Sequence, residues 1–396
     1  MDEKKCKGER VLKFFHTADW HLGKLVQGVY MTDDQRHVLD QFIEAIKEER
    51  PDAVVIAGDL YDRAVPPTEA VALLDYALER ITIELKTPVL AVSGNHDSPG
   101  RLHFGSGLMR ANGYHIAGQM TQVIEPVVLE DDHGEVHFHL VPFADPSVVK
   151  YLHDDETIAN HNDAMKRVVE GIQQNMAKHA RHVFVGHAFV TPHGESEANT
   201  SDSERPLAIG GAEYVSAHLF EPFHYTALGH LHQAHYVLNE TIRFAGSPLK
   251  YSISEEQHQK GFLVVELDAD GQVSVEKRTL IPQHDMRTVE GTMEEILLQP
   301  IREDYVFVKL LDETPVLFPM EKIRSVYPNA MHVERKMMLP KGRLESEGQI
   351  RHEKQDDIAL FKTFYEEVKG EAADEETEGL FVGVLHEVMQ KGGFGS

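Results

Sequence analysis

Three short apolar runs in the first hundred residues, each broken by a loop carrying acid, amide or imidazole groups, constrain this chain most. Val54-Val55-Ile56-Ala57 is too short for a helix and follows Pro51, so it reads as a buried strand. Gly58 ends it, and Asp59 stands at its carboxyl end. The run before it, Val11 to Phe15, delivers Asp19 and His21 into the next loop. The run after it, Pro88 to Ser93, closes in Gly94-Asn95-His96-Asp97. Amphipathic helices join the three. One starts where Asp33 or Asp34 can cap it and runs to about Arg50, with Val38, Leu39, Phe42, Ile43 and Ile46 on one face. Pro66 and Pro67 open another, carrying Val71, Leu74, Ala77, Leu78 and Ile81. This β-α-β-α-β rhythm predicts an α/β layered fold with its loop ends gathered on one edge, where open α/β sheets place their chemistry.

Further along, Val123 to Leu129 and Val136 to Val141 flank Asp131-Asp132-His133-Gly134, a β-hairpin signature. His137 and His139 alternate on one face of it, which reads as a solvated strand face rather than a metal site. Asn162 to His179 has helical spacing, and two more strands follow, His182 to Gly186 ending at His187 and Tyr225 to Leu228 ending in Gly229-His230-Leu231-His232. Strand patterns continue to about Leu280.

Taken singly, each loop group is as well explained by turn chemistry. With 25 histidines in the chain, no lone imidazole carries weight. Collected, Asp19, His21, Asp59, Asn95, His187, His230 and His232 form a set of oxygen and nitrogen donors without thiolate, suited to Mn²⁺, Fe²⁺ or Zn²⁺. Seven donors are too many for one ion and fit two that share a carboxylate. Alternate residues of an extended His230-x-His232 point the same way, so two imidazoles can serve neighbouring ions. Such a pair clamps a phosphoryl oxygen and activates water for in-line attack.

In this order, Asp-x-His, Gly-Asp-x-x-Asp, Gly-Asn-His-Asp, a later Gly-His and Gly-His-x-His resemble the calcineurin-like metallophosphoesterases. The narrower resemblance, over nearly the whole chain, is to the SbcD-like nuclease family of double-strand-break repair. It rests on His16-Thr17-Ala18-Asp19-Trp20-His21-Leu22-Gly23-Lys24, Gly94-Asn95-His96-Asp97-Ser98-Pro99, Ala227-Leu228-Gly229-His230-Leu231-His232 and Ala245-Gly246-Ser247-Pro248-Leu249. Phosphoprotein phosphatases would show Asp-Arg-Gly and Glu where this chain has Asp62-Arg63-Ala64 and Asp97.

The resemblance implies a layered β-sandwich core flanked by helices. It implies Asp19, His21 and His232 on a first ion, Asn95, His187 and His230 on a second, and Asp59 bridging. His96 is similar to the residue that stabilises the transition state and protonates the leaving oxygen, chemistry that imidazole supplies near neutral pH. Asp62, where some relatives carry His, is assigned to orient His96. Asp97 is either a partner of this machinery or a turn residue. Implied too are Mn²⁺ dependence, exonuclease action on duplex ends, endonuclease action on single strands or hairpins, and a homodimer within a heterotetramer with the ATPase SbcC. The setting would be DNA repair, recombination and replication in the cytoplasm, at the nucleoid. ATP would belong to the partner, since no Gly-x-x-x-x-Gly-Lys-Ser/Thr loop occurs here.

Three regions follow from these patterns: residues 11–280 as the nuclease domain, 281–345 as a small α+β capping domain, and 346–396 as a helical segment binding the SbcC coiled-coil base. In the second, Tyr305 to Leu311 and Met331 to Glu334 read as strands around helical pieces near Met293 to Leu298 and Pro319 to Val326; Lys336, Lys341, Arg343 and Arg351 follow. In the third, Ile358, Phe361, Tyr365 and Val368 form one apolar stripe and Phe381, Val384, Leu385 and Val388 another, around the acidic run Glu371 to Glu378.

A formal charge of −26 excludes holding a polyanion by bulk electrostatics, so DNA must meet bound cations, a local basic patch or a partner. The lone Cys6 forms no internal disulfide, no run is apolar and long enough for a membrane span, and Met1 to Arg10 has no secretory signal's apolar core. Two competing readings share these residues. A small-molecule phosphodiesterase would use the same donors, though the long C-terminal region argues against it. A non-catalytic scaffold would ordinarily have lost some of them.

Overall fold

The computed structural model describes residues 10–194, 201–202, 204, 213–335, 361–362, 365, 372–374 and 377–384. Residues 1–337 form one compact unit and 338–396 a second.

Two six-stranded sheets lie face to face in the first unit. In one, the order is Val273–Thr279, Gly261–Leu267, Leu12–Thr17, Ala53–Ala57, Val89–Val92, Tyr114–Ala117. Its last four strands run parallel, as the β-α-β rhythm requires. In the other it is His235–Val237, Asn239–Phe244, Tyr225–Gly229, Arg181–His187, Gly134–Val141, Val127–Asp131. Period-two alternation sorts each strand's side chains between two cores. Phe14, Val55 and Leu90 point inward to meet Phe138, Val183, Val185 and Tyr225 of the opposite sheet. Phe15, Val54, Ile56 and Val89 point outward, under the helices Thr32–Glu49 and Thr68–Leu78. The helices Pro146–His153 and His161–Gln173 cover the far face of the second sheet. The result is a helix–sheet–sheet–helix sandwich, and the layered α/β expectation holds.

Three local readings are corrected. Neither Asp33 nor Asp34 caps the first helix, whose N-cap is Met31. Asp34 is buried and accepts hydrogen bonds from Tyr305 Oη (2.7 Å) and from the His284 backbone N–H (3.3 Å), with His284 Nδ1 2.9 Å away. His137 and His139 are not on a solvated face: their strand is internal to the sheet, and both rings are buried beside His182. Helical structure after Asn160 stops at Gln173 rather than His179.

Residues 286–335 build a parallel three-stranded sheet, Met286–Gly291, Tyr305–Leu310 and Ala330–Arg335, with short helices Met293–Leu297 and Pro319–Ile323 and their own core around Ile296, Val306, Val308 and Ile323. Thr292 and Glu295 close a capping box on the first of these helices.

In the second unit, the Phe361 and Phe381 rings stack at 4.0 Å and Lys362 pairs with Glu378 at 2.8 Å. Lys336, Lys341, Arg343, Arg351, Ile358, Val368, Glu371, Leu385, Val388 and Cys6 lie outside the described residues. Among the described residues no helix is long and apolar enough to cross a membrane.

Candidate metal centre

The parallel strands of both sheets end on one edge, and the loops that follow are knitted together by main-chain hydrogen bonds. Asp19 N–H donates to Gly58 O (3.1 Å), and His21 N–H to Asp59 O (2.9 Å). Asp19, His21, Asp59 and His230 all adopt positive φ (54°, 45°, 50° and 112°). Non-glycine residues held there cost roughly 1–3 kcal/mol each and persist where the surroundings over-determine them. Here they turn four side chains back toward one point. Gly58 and Gly94 leave room for this: a Cβ on Gly58 would lie 2.3 Å from His187 Nδ1, and one on Gly94 2.1 Å from Asp59 Oδ1.

All seven donors expected from sequence are brought together. Three groups each place one ligand atom apiece within 4.8 Å of one another: Asp19, His21 and His232; His21, Asp59 and His96; Asp19, Asp59 and His187. Asp59 Oδ2 is central, 3.6 Å from His21 Nε2, 3.5 Å from His187 Nε2 and 3.9 Å from His96 Nε2. Asn95 Oδ1 lies 2.9 Å from His187 Nε2, and His21 Nε2 faces His232 Nε2 at 3.0 Å. His230 donates its backbone N–H to Asp19 Oδ1 (2.9 Å), and its ring packs 5.3 Å from that of His187.

Almost no water reaches these groups: Asp19, His187, His21, His232, Asp59 and His230 are all buried. Burial, and next the charge of Asp59, raise the Asp19 carboxyl well above the usual carboxylate range. Burial, then the neighbouring His232 and His96, hold His21 well below the ordinary imidazole value. Burial lowers His187 and His230 likewise. Neutral imidazoles with lone pairs facing buried carboxylates are short of positive charge, and the set is made of hard oxygen and borderline nitrogen donors. That is the chemistry a divalent cation satisfies, so the residues fit the ions the fold implies.

His96 is fixed by its own loop. Its backbone N–H donates to Asp59 Oδ1 (2.9 Å), and its ring Nδ1 donates to the backbone carbonyl of Asp62 (2.8 Å), which turns Nε2 toward Asp59. The contact that orients His96 thus comes from the main chain of Asp62. Its carboxylate instead pairs with Lys24 at 2.8 Å and stands 3.8 Å from His21 Nδ1. Asp97 belongs to the machinery rather than a turn: its carboxylate accepts from the backbone N–H groups of Leu60 (3.1 Å), Tyr61 (3.0 Å) and Gly94 (2.9 Å), clamping the Asp59 loop to the Asn95 loop.

Several groups had no signal in the sequence. Gln35 donates to the carbonyls of Trp20 (3.1 Å) and His21 (2.8 Å), while Glu204 accepts from His232 N–H (2.7 Å). Glu255 lies against His232, and Lys260 against Glu255. Burial opposes ionisation of Glu255, but Lys260 and His232 outweigh it and hold its carboxyl well below the usual range.

Fold and site together define a class, and known proteins agree: the family Calcineurin-like phosphoesterase matches residues 12–234, and the family Type 5 capsule protein repressor C-terminal domain matches 282–369. SbcD of the nuclease SbcCD from Staphylococcus epidermidis is 34% identical over 358 residues, 89% of this chain and 92% of that protein. Its namesake in Staphylococcus saprophyticus subsp. saprophyticus is 34% identical over 364 residues, 91% and 94% of the two chains. Within the calcineurin-like phosphoesterases, the chain belongs to the SbcD family of SbcCD nucleases.

Proposed function

We propose that this chain is a two-metal DNA phosphodiesterase that works with an SbcC-type ATPase. The observation that carries the reading is the shared, buried Asp59, whose one carboxylate oxygen faces His21, His187 and His96 at once. Asp19, His21 and His232 would hold one ion and Asn95, His187 and His230 the other, with Asp59 common to both. A divalent pair there, Mn²⁺ in this reading, supplies Lewis-acid neutralisation of phosphoryl charge and lowers the pKa of water.

The chain's own residues do the rest. Asp97 fixes the distance between the Asp59 and Asn95 loops through three backbone N–H groups. With Nδ1 donating to the Asp62 carbonyl, His96 presents Nε2 to the reacting phosphate as the site at which a proton can be held and given to the leaving oxygen. The Lys24–Asp62 pair stands beside His21, 3.8 Å from its Nδ1. Such a centre neutralises phosphate locally, which is how a chain of charge −26 can act on DNA.

Duplex exonuclease and single-strand or hairpin endonuclease action go with this reading, as do DNA repair, recombination and replication and a cytoplasmic, nucleoid-associated setting. Residues 281–345 would cap the DNA and 346–396 would grip the SbcC coiled-coil base. A homodimer is supported by Phe104, Leu108, Val148 and Tyr151, large apolar side chains left exposed on or beside the short helices of the nuclease domain.

The test is hydrolysis of linear duplex DNA and of bis-p-nitrophenyl phosphate with Mn²⁺, for wild type and His96→Ser, each with and without SbcC and ATP. The proposal expects wild type to cleave both and His96→Ser neither. Turnover of the small diester without DNA cleavage, even with SbcC and ATP, would instead mark a small-molecule phosphodiesterase.

A further inference from the structure

His232 meets the site through Nε2, 3.0 Å from His21 Nε2, so what its other ring nitrogen does decides whether Nε2 carries a lone pair or a proton. Nδ1 lies 3.1 Å from Glu255 Oε1. Glu255 ends a short 3₁₀ turn, Ile253–Glu255, and is fully buried. Its second oxygen pairs with the equally enclosed Lys260 at 2.5 Å. An ammonium has three N–H donors. Lys260 donates to the backbone carbonyl of His232 (2.8 Å) and to Ser247 Oγ (2.8 Å), stands 3.4 Å from His258 Nδ1, and is ion-paired with Glu255 Oε2. One cation therefore grips both the ring's partner and the ring's own main chain.

We propose that Glu255, anchored by Lys260, is a positioning residue that holds His232 as the Nδ1–H tautomer and aims its Nε2 lone pair into the metal centre. The inference rests on the reading of His232 as a metal-holding residue. A carboxylate cannot donate to the ring, so Nδ1 must, and the imidazole proton is thereby kept away from Nε2. A buried Glu–Lys pair is weak evidence for a stabilising role, because replacing such a pair by well-packed apolar residues of similar volume is often neutral or stabilising. The side-chain pattern follows that of histidines whose far nitrogen is braced by a carboxylate when the near one binds metal.

Glu255→Gln separates this role from mere packing. With Lys260 present, the amide oxygen faces the ammonium and the NH₂ faces Nδ1. That forces Nδ1 to accept and moves the ring proton to Nε2, where it blocks the lone pair. In Glu255→Gln/Lys260→Met the ammonium no longer draws the amide oxygen away, and the Ser201 and Ser252 hydroxyls, which donate to the Oε1 position at 3.3 and 3.5 Å, favour the oxygen on the Nδ1 side, so the tautomer returns.

The experiment titrates the metal-stripped full chain with Mn²⁺ alone, reading free ion by electron paramagnetic resonance, alongside Tm of each metal-free variant. Glu255→Gln is expected to weaken Mn²⁺ binding by about 10–100-fold, the usual consequence of losing such a brace. The double variant is expected to recover most of that loss, and His232→Ala to bind at least as weakly as Glu255→Gln. A packing role predicts the opposite order, with the double variant worst. Glu255→Gln binding Mn²⁺ like wild type while His232→Ala does not overturns the positioning role alone. His232→Ala binding like wild type overturns the ligand reading, and the positioning role with it. Should Glu255→Gln fail to fold, the double variant, which removes both buried charges, decides: near-wild-type affinity supports the tautomer argument and a deficit of ten-fold or more refutes it.

Discussion

Replacing Gly94 by Ala adds one methyl group at the most crowded point of the site. The new Cβ would lie 2.1 Å from Asp59 Oδ1 and 2.5 Å from the Asp59 backbone nitrogen. Close carbon–oxygen contacts in proteins run near 3.3–3.6 Å, so one loop must retreat from the other by about 1.2 Å. Neither is free to do so. Asp59 Oδ1 accepts from His96 N–H at 2.9 Å, and Gly94 N–H donates to Asp97, which also holds Leu60 and Tyr61. Overpacking of this kind costs about 1–3 kcal/mol of stability. A displacement of about 1 Å in a reacting constellation costs on the order of 100-fold in rate. Gly94→Ala is therefore expected to lower Mn²⁺-dependent turnover of bis-p-nitrophenyl phosphate about 100-fold while the protein still unfolds cooperatively. Gly107→Ala is the control: it makes the same change inside the helix Ser106–Arg110, where a Cβ meets nothing within 4 Å. It should leave turnover at wild-type level. Gly94→Ala activity within three-fold of wild type would refute the claim that the Asp59–Gly94 approach sets the geometry.

Two further outcomes test the fold around the site. Arg181 and Asp131 form a buried bidentate pair (2.5 and 2.9 Å) that ties two strands of the second sheet, so Asp131→Asn should cost roughly 3 kcal/mol at pH 7 in urea unfolding. Burial raises the Asp131 carboxyl, but the hydrogen bonds and charge of Arg181 outweigh it and lower it overall. Its contribution is thus present above the unfolded value of about 3.8 and is lost as pH falls through the lower folded value; wild type and variant should converge there. His139 behaves with the opposite sign of charge: burial, then His182 and His137, lower it to about 3. The unfolded chain binds that proton below about 6.5, so stability falls as pH drops from 6.5 toward 3, by roughly 3 kcal/mol at pH 4 for a full shift. His139→Asn should flatten this slope; an unchanged slope would show that the ring is not shielded as the structure has it.

Asp19, His21, Asp59, Asn95, His96, His187, His230 and His232 were legible in the sequence because each follows a short apolar run, and strand ends on one edge of a layered α/β fold have nowhere else to point. The layered α/β arrangement was legible for the same reason, since short apolar runs alternate with amphipathic stretches, whereas the two-sheet sandwich followed only from the family resemblance. What was not legible depends on contacts between distant segments. Asp34 looks like a helix cap until Tyr305 and His284 arrive from 250 or more residues away to take its oxygens. His137 and His139 look solvated because alternation marks a face without saying what covers it. Glu255 and Lys260 sit in a stretch of common charged residues with no period or turn signature, and only the fold sets them behind His232. Asp62 is legible as the residue that orients His96, but nothing in residue type tells that its carbonyl rather than its carboxylate makes the contact.

The central claim is that one buried carboxylate shared between two groups of donors makes this chain a metal-dependent nuclease. The most direct measurement is degradation of linear duplex DNA by the full chain with SbcC, ATP and Mn²⁺, comparing wild type with Asp59→Asn and with wild type in excess chelator. Cleavage by wild type alone is expected, with Asp59→Asn and the chelated sample both inactive and the Asp59→Asn fold intact by circular dichroism. Wild-type cleavage rates in Asp59→Asn, or cleavage that persists in chelator, would contradict it.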